Sequence, residues 1–154
     1  MIKSENDLIF YIESDLGCYY NSLQRLIKFF ELWVRGDEIL PIWKFIYSLR
    51  YYEYYLNIND KLSIVGILLK HYWRFKFRHC QLNYDLHIEP NVVGYGCKIV
   101  HPGFRKIPDF VKIGNNCTIL PMVLLGKKKP GIDGNIKIGN DCYISFGVTI
   151  LGPI

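Results

Sequence analysis

The sequence lacks three features that would place it in common protein classes. No apolar run approaches the ~18 residues of a membrane-spanning helix, and the best stretch is the short segment 64–69. The first ten residues include Glu5 and Asp7, and no long apolar core follows them as in a secretory signal. Neither a Walker phosphate loop nor a GxGxxG motif occurs. We therefore expect a cytoplasmic protein that lacks the common nucleotide-binding loops.

Cysteine and charge are also unremarkable in amount. The five cysteines are odd in number, and none are spaced as a CxxC pair. Without an export signal, a disulfide framework is not expected. The formal net charge of +5 favours anionic partners, such as the phosphates of a nucleotide cofactor or a lipid surface. No recognisable nucleic-acid motif is present, so we expect no nucleic-acid partner.

What the sequence does contain is an aliphatic residue at nearly every sixth position from Ile88 to Ile154. Taking every third member gives three columns: Val93, Ile113 and Ile138; Ile99, Ile119 and Ile144; Ile88, Ile107, Leu125 and Ile150. Self-similarity at a fixed period indicates a repeat architecture. Three six-residue steps per turn predict a triangular coil of short parallel strands, each turn stacked on the last.

Residues at fixed offsets from these columns support the repeat. Glycine follows every member of the first column, and a cysteine stands four residues after each: Gly94, Gly114 and Gly139; Cys97, Cys117 and Cys142. Glycine suits a corner because it tolerates a positive φ. We interpret the cysteines as small core residues stacked coil on coil, with no metal site. Four residues after the members of the second column stand Gly103, Val123 and Val148, and we expect these three residues to align in successive coils.

The first 80 residues have a helical period instead. Leu8, Ile12 and Leu16 predict one helix, and a second is expected to end near Gly36 after an apolar face made of Leu23, Leu26, Ile27, Phe30 and Val34. Pro41 suits the first turn of a third helix whose inward residues are Ile42, Phe45, Ile46 and Leu49. Asp60 is expected to open a fourth, with its inward face at Leu62, Val65, Leu69 and Tyr72. The ring-rich segment 50–55 favours helix packing over sugar stacking.

These patterns predict two parts: an α-helical cap over 1–80 and a parallel coil over 81–154. The cap would cover the otherwise open apolar end of the first coil.

The segments VVGYGCKIVHPG, KIGNNCTI and KIGNDCYISFGVTILG resemble the left-handed β-helix, or hexapeptide-repeat, acyltransferases. The closest resemblance is to serine acetyltransferases and the serine acetyltransferase-like enzymes of surface-polysaccharide loci. It implies a mainly β protein with a helical N-terminus: a left-handed parallel β-helix of about three to four coils, capped by a small α-helical region. It also implies acetyl-CoA as co-substrate, with no metal, and a homotrimer with the sites between subunits. The left-handed winding comes from the resemblance alone.

By this resemblance His101, two places after Ile99, occupies the catalytic histidine position. Transfer of an acetyl group from a thioester to a hydroxyl needs a base, and an imidazole contributes about 10²–10⁴-fold in such a role. His87 stands where the serine-specific enzymes have an aspartate. Val100 stands where they have an acidic residue just before the catalytic histidine. Asp85, His87 and Glu89 are candidate substrate-binding residues, and Asp85 or Glu89 is a candidate orienting acid.

Two segments are candidates for binding the acetyl donor. The step from Leu125 to Ile138 contains an insertion in which Lys127, Lys128 and Lys129 can meet the phosphates of coenzyme A, or simply be solvated. By resemblance, backbone amides of Ser145, Phe146 and Gly147, on the coil expected to follow that of His101, hold the pantetheine arm.

Several functions remain open. A sugar hydroxyl in surface-polysaccharide biosynthesis is the favoured acceptor because the cap is compact and the acidic dyad is altered; L-serine is the alternative. A zinc hydratase on the same fold would need three histidines, and only His101 is well placed. Since the chain stops partway through a coil at Ile154, a truncated, non-catalytic β-helix is a further alternative, unless an oligomer covers that end.

A possible membrane contact lies in the segment 70–79. It carries four Lys or Arg residues, two histidines and four aromatic rings, with no acid. Such a helix can rest on the anionic inner face of a membrane. A solvated helix face or a subunit contact is equally compatible with this composition.

Overall fold

The computed structural model describes residues 1–20, 22–61, 63–129, 131 and 134–154, with only the backbone described at 22–27 and 60. Leu62, predicted to face inward, lies outside the described residues. The same holds for the side chains of Leu23, Leu26 and Ile27 on the predicted apolar face, and for that of Asp60 at the predicted helix start. The helices are α1 (Glu5–Gly17), α2 (Ser22–Arg35), α3 (Ile39–Asn57) and α4 (Ile64–Tyr84), with a 3₁₀ turn at Asn59–Lys61.

Nine short strands follow in the described part of the chain. They are β1 (Leu86–Ile88), β2 (Lys98–Ile99), β3 (Arg105–Ile107), β4 (Val111–Ile113), β5 (Thr118–Ile119), β6 (Val123–Lys127), β7 (Ile136–Ile138), β8 (Tyr143–Ile144) and β9 (Thr149–Gly152). They form three parallel sheets with the orders β1-β3-β6-β9, β2-β5-β8 and β4-β7. From β3 onward, the chain winds through all three sheets before it returns to the first. In the turn before β3, the third side is formed by Val93, which makes an isolated bridge to Ile113 of β4.

The strand register confirms the three predicted columns. Val93 bridges Ile113, which pairs with Ile138, and Ile99 pairs with Ile119, which pairs with Ile144. In the third column, Ile88 pairs with Ile107 and Leu125 with Ile150. Most members of the columns are buried, because alternate residues of each short strand point into the coil.

The cysteine column is also found. Lys98, Thr118 and Tyr143 pair in register, which aligns the residues before them: Cys97, Cys117 and Cys142. Cys97 and Cys117 are buried, Cys142 is half-buried, and all five cysteines of the chain are free thiols.

The predicted alignment of Gly103 with Val123 is wrong. Arg105 pairs with Val123 and is fully buried at this interior position. The reason is the length of the corner before β3, which spans 100–104, whereas the equivalent corner before β6 spans only 120–122. The extra residues move the next inward position from Gly103 to Arg105.

The first three helices largely follow the sequence pattern. Leu8, Ile12 and Leu16 are buried on α1, whose start is capped reciprocally by Ser4 and Asp7. Helix α2 ends at Arg35, before Gly36 at φ +68°. On its predicted apolar face, however, Phe30 and Val34 are exposed. Pro41 lies in the first turn of α3, and the four predicted inward residues of that helix are all buried: Ile42, Phe45, Ile46 and Leu49.

The predicted inner face of α4 is wrong. This helix begins at Ile64, after Ser63 accepts a hydrogen bond from the Gly66 amide (3.2 Å). Val65, Leu69 and Tyr72 are exposed, and the buried residues are Gly66, Phe77, Cys80 and Gln81. Rings on α3 select this face: Tyr52 stacks on Phe77 (5.4 Å between centroids) and Tyr51 on Trp73 (4.3 Å). Helix packing is therefore the observed use of these two tyrosines.

The first coil has no coil before it, and side chains from the helices take that place. Arg50 donates to the carbonyls of Val93 (3.0 Å) and Gly94 (2.6 Å), and also to Asp15 (2.7 Å) and Glu53 (2.8 Å). All three charged side chains are almost completely buried. Burial alone would lower the pKa of Arg50, but the Glu53 and Asp15 carboxylates outweigh it and raise that pKa, so the guanidinium stays charged.

The same two carboxylates, and the side chains of Tyr19 and Gln81, form hydrogen bonds with further backbone groups of the first coil. Asp15 accepts from the Cys97 amide (3.1 Å), and Glu53 accepts from the Asn91 amide (2.7 Å). The Tyr19 hydroxyl accepts from the Ile99 amide (2.8 Å) and donates to its carbonyl (2.6 Å), while Gln81 donates to the Ile88 carbonyl (3.1 Å). The helical region thus replaces the hydrogen bonds that a preceding coil would make. Its division from the coil into a separate domain stays a prediction.

We expect Arg50→Ala to destabilise the protein by about 3–5 kcal/mol, because it leaves two buried carboxylates without their cation. Urea unfolding followed by circular dichroism measures this change. Arg74→Ala, which removes an exposed arginine from α4, is the matched control and should change stability by less than about 0.5 kcal/mol. Equal stabilities of the two variants would contradict the role assigned to Arg50.

Candidate active site

The corner between β2 and β3 carries His101 in an unusual backbone conformation. His101 has φ +59°, in the left-handed region that few non-glycine residues adopt. Gly103, two residues on, has φ +128° and donates its amide to the Tyr84 carbonyl at the end of α4 (3.2 Å). The His101 side chain is 59% exposed. The long corner therefore turns the imidazole outward, where a small molecule can reach it.

Arg105 braces this corner from inside the coil. Its guanidinium donates to the carbonyls of Val100, Gly103 (2.9 Å) and Ile119 (3.2 Å), and so ties both ends of the corner to the next coil. Burial lowers the pKa of Arg105 to about 10, which still leaves it charged at neutral pH. Carbonyl dipoles therefore stabilise this buried cation, since no described carboxylate forms an ion pair with it.

The His101 ring is held by a glutamate from the helical region. Its Nδ1 lies 2.5 Å from Oε1 of Glu38, the residue immediately before α3. Because a carboxylate can only accept, Nδ1 is the donor in this contact, and in the neutral form of the ring Nε2 then carries the lone pair. Glu38 is 53% exposed, so the pair lies at the surface. An imidazole oriented in this way can accept a proton from a bound hydroxyl.

The acid that contacts His101 differs from both sequence candidates. The Asp85 carboxylate lies 3.6 Å from Nε2 of His87, and its backbone carbonyl accepts from the Arg105 amide (2.9 Å). Glu89 is partly exposed, and its amide donates to the Ile107 carbonyl (3.0 Å). Glu38 was not identified because it lies 63 residues before His101, between two helices, with no motif around it.

Asp85 and His87 nevertheless lie near the corner. The His87 ring is 6.5 Å from the ring of Phe104, the last residue of that corner. The structure therefore brings together two of the three predicted substrate-binding residues next to an aromatic ring. Their role in substrate binding stays a prediction.

Ser145, Phe146 and Gly147 form the equivalent corner two coils further on, not one as expected. The strand order β2-β5-β8 places the corner at 120–122 between them and the His101 corner. The Gly147 amide donates to the Pro121 carbonyl (3.3 Å), and Phe146 is exposed. With strands about 4.8 Å apart, these residues lie roughly 10 Å from the His101 corner along the coil axis. The three corners form one continuous edge of the molecule.

Lys127 and Lys128 lie at the other end of the strands. The corner that carries His101 lies just before Arg105, the first residue of β3, and Arg105 pairs with Val123, the first residue of β6. Lys127 is the last residue of β6. Four residues of strand separate these ends by about 13 Å. Lys127 Nζ is 5.0 Å from the centre of the Phe110 ring, and Lys128 is exposed. Within one chain, then, these lysines are not next to His101. Residues 130, 132 and 133 of the same insertion lie outside the described part.

In the described ranges, no group of three or more His, Cys, Asp or Glu side chains is placed to share a metal ion.

Neither a protein-family model nor a curated protein sequence matches the chain. The structure is similar to the crystal structure of Neisseria gonorrhoeae serine acetyltransferase (CysE) in complex with serine, with a TM-score of 0.56 and 23% sequence identity. The match covers 97% of this chain and 57% of that chain, so the present chain corresponds to little more than half of that protein. At this identity the likeness shows the fold: parallel-strand sheets preceded by a helical region, as in that enzyme.

Proposed function

We propose that the chain is an acetyl-CoA-dependent O-acetyltransferase in which His101 is the general base. The contact between His101 Nδ1 and Glu38 is the observation that carries this proposal. Nε2 accepts the proton of the acceptor hydroxyl while the hydroxyl oxygen attacks the thioester carbonyl. Collapse of the tetrahedral intermediate breaks the carbon–sulfur bond, and the departing thiolate takes the proton from the imidazolium. The step needs no protein nucleophile, because transfer to the acceptor is direct.

The likeness to a serine acetyltransferase supports acyl transfer as the reaction class. Together with the hexapeptide resemblance, it favours a left-handed winding of the coil. We also propose a homotrimer in which acetyl-CoA lies in a groove between subunits. The edge formed by the corners at 100–104, 120–122 and 145–148 would face the pantetheine arm. Lys127 and Lys128 would then meet the coenzyme A phosphates from the neighbouring subunit, which accords with their distance from His101 in one chain.

Two acceptor classes have support. The similar enzyme was crystallised with serine, and this favours L-serine. A sugar hydroxyl is favoured by the substitutions His87 and Val100, which alter the serine-specific acidic positions, and by the open surface around His101. The His87 ring beside Phe104 offers the mixed aromatic and hydrogen-bonding surface that suits a sugar. We keep the sugar of a surface-polysaccharide precursor as the leading acceptor and L-serine as the alternative.

Thiol release from acetyl-CoA, measured with L-serine and with nucleotide- and lipid-linked sugars, tests this function. We expect His101→Ala to lower kcat by about 10²–10⁴-fold, because the general base is lost. Glu38→Gln keeps the size and a hydrogen bond to the ring but removes the charge, so we expect a smaller loss of about tenfold or more.

His71→Ala, at an exposed histidine of α4, is the matched control and should leave kcat unchanged. The proposed role of His101 would be overturned if thiol release from acetyl-CoA were the same with and without an acceptor. It would also be overturned if acceptor-dependent release persisted in His101→Ala. Absence of both turnover and coenzyme A binding would favour the non-catalytic β-helix.

We further propose a peripheral membrane contact through α4. The outward face of this helix carries a stripe of exposed apolar residues, Ile64 (79%), Leu68 (65%), Phe75 (69%) and Leu82 (60%). Arg74 and Arg78 flank the stripe on one side and Lys76 on the other, while 64–84 contains no acid. None of the helices in the described part is both long and apolar enough to cross a bilayer. A helix of this kind suits the surface of an anionic membrane, with its axis parallel to that surface.

Sedimentation with phosphatidylglycerol vesicles measures this contact. We expect the wild type to sediment with the vesicles and Leu68→Glu/Phe75→Glu to remain in solution, because the substitutions place charge on the apolar stripe. Tyr143→Glu, at an exposed ring on β8, is the control and should sediment like the wild type. Wild-type protein that stays in solution at low salt would rule the contact out.

A further inference from the structure

A second concave surface lies in the helical region, apart from His101. It is a cavity of about 680 Å³, within the range typical of small-molecule sites. Rings and aliphatic side chains from all four helices form most of its wall, among them Leu16, Phe29, Leu40, Trp43, Tyr72 and Trp73. Trp43 is itself buried, and its indole N–H has no hydrogen-bond partner in the described structure.

Two lysines also line this cavity. Lys44 on α3 and Lys76 on α4 form no ion pair with any described carboxylate. Burial raises the pKa of the Cys80 thiol between these helices, and the charges of Lys44 and Lys76 both act to lower it. Lys44 and Lys76 thus line the same cavity, one from each of two packed helices. The carboxylate of Glu13, which also lines the cavity, already has a partner.

The ammonium group of Lys76 lies 5.6 Å from the centre of the Tyr72 ring, and neither lysine has a carboxylate partner in the described structure. An apolar wall next to these two cations defines the chemistry of the ligand. We propose that this cavity binds an amphiphilic anion, with an alkyl or aromatic body against the rings and a carboxylate or phosphate between Lys44 and Lys76. Burial of the apolar body supplies affinity in proportion to the area removed from water. The lysines select the sign of the head group, because an ammonium head would face two like charges.

A free fatty acid and a membrane lipid share this chemistry. The same helix that contributes Lys76 and Tyr72 to the wall carries the exposed apolar stripe on its outer face, so a lipid could enter from a bilayer beneath it. The site does not depend on the proposed acetyl transfer.

Dodecanoate, below its critical micelle concentration, is the probe that tests this site. Isothermal titration should give saturable binding of one dodecanoate per chain. Dodecyltrimethylammonium has the same tail and the opposite charge, and we expect it to bind at least tenfold more weakly. Lys44→Gln/Lys76→Gln should weaken dodecanoate binding about tenfold and abolish the preference for the anion. Lys3→Gln/Lys137→Gln removes two exposed lysines outside the cavity and should bind as the wild type does.

Equal affinity for the two amphiphiles, or wild-type affinity in Lys44→Gln/Lys76→Gln, would overturn the proposal. Vesicles of phosphatidylglycerol distinguish the two sources of ligand. If vesicles compete with dodecanoate for the wild type, the cavity accepts a membrane lipid; if they do not, it takes the free anion. Binding to vesicles without any binding of monomeric dodecanoate would place the contact on the outer face of α4 and would also overturn the cavity site.

Discussion

The buried cluster of Arg50, Asp15 and Glu53 is the contact on which the rest of the structure depends. The first turn of a parallel coil leaves amides and carbonyls along three sheet edges, and each unsatisfied buried group would cost stability. Arg50 supplies donors, and the two carboxylates supply acceptors, for groups on two of the three sides. Burying three charges is costly, but each is paired and hydrogen-bonded, and this offsets the cost of their desolvation.

The cluster also determines where the helices stand relative to the coil. Arg50 and Glu53 fix the middle of α3 on the first coil, and the start of that helix then brings Glu38 to His101. At the end of α4, the backbone carbonyls of Tyr84 and Asp85 accept from Gly103 and Arg105. The helical region therefore completes the candidate site as well as covering the first coil.

The coil could be predicted from sequence because its contacts repeat. Stacking places equivalent residues of successive turns next to each other, so Ile99, Ile119 and Ile144 show the pairing directly in their spacing. Glu38 has no such signal, because its contact depends on how a helix packs across 63 residues of sequence. Arg105 was missed for a related reason: the long corner shifts the repeat, and a charged residue does not match an apolar pattern.

The inward face was predicted correctly for α3 but not for α4. The buried residues of α3 follow a clear apolar stripe, since that helix packs against the coil and the other helices. Helix α4 has apolar residues on nearly all of its faces, so its sequence does not indicate which face is buried. Stacking of Tyr51 and Tyr52 on Trp73 and Phe77 decides this, and leaves Leu68 and Phe75 exposed.

A crystal structure with coenzyme A bound would decide whether acetyl transfer takes place at His101. We expect the coenzyme A sulfur within hydrogen-bond reach of His101 Nε2, at about 3.2 Å or bridged to it by one water, because the departing thiolate takes its proton from this nitrogen. The pantetheine arm should run along the corners at 120–122 and 145–148. Coenzyme A ordered at a surface remote from His101, or no bound coenzyme A at millimolar concentration, would contradict it.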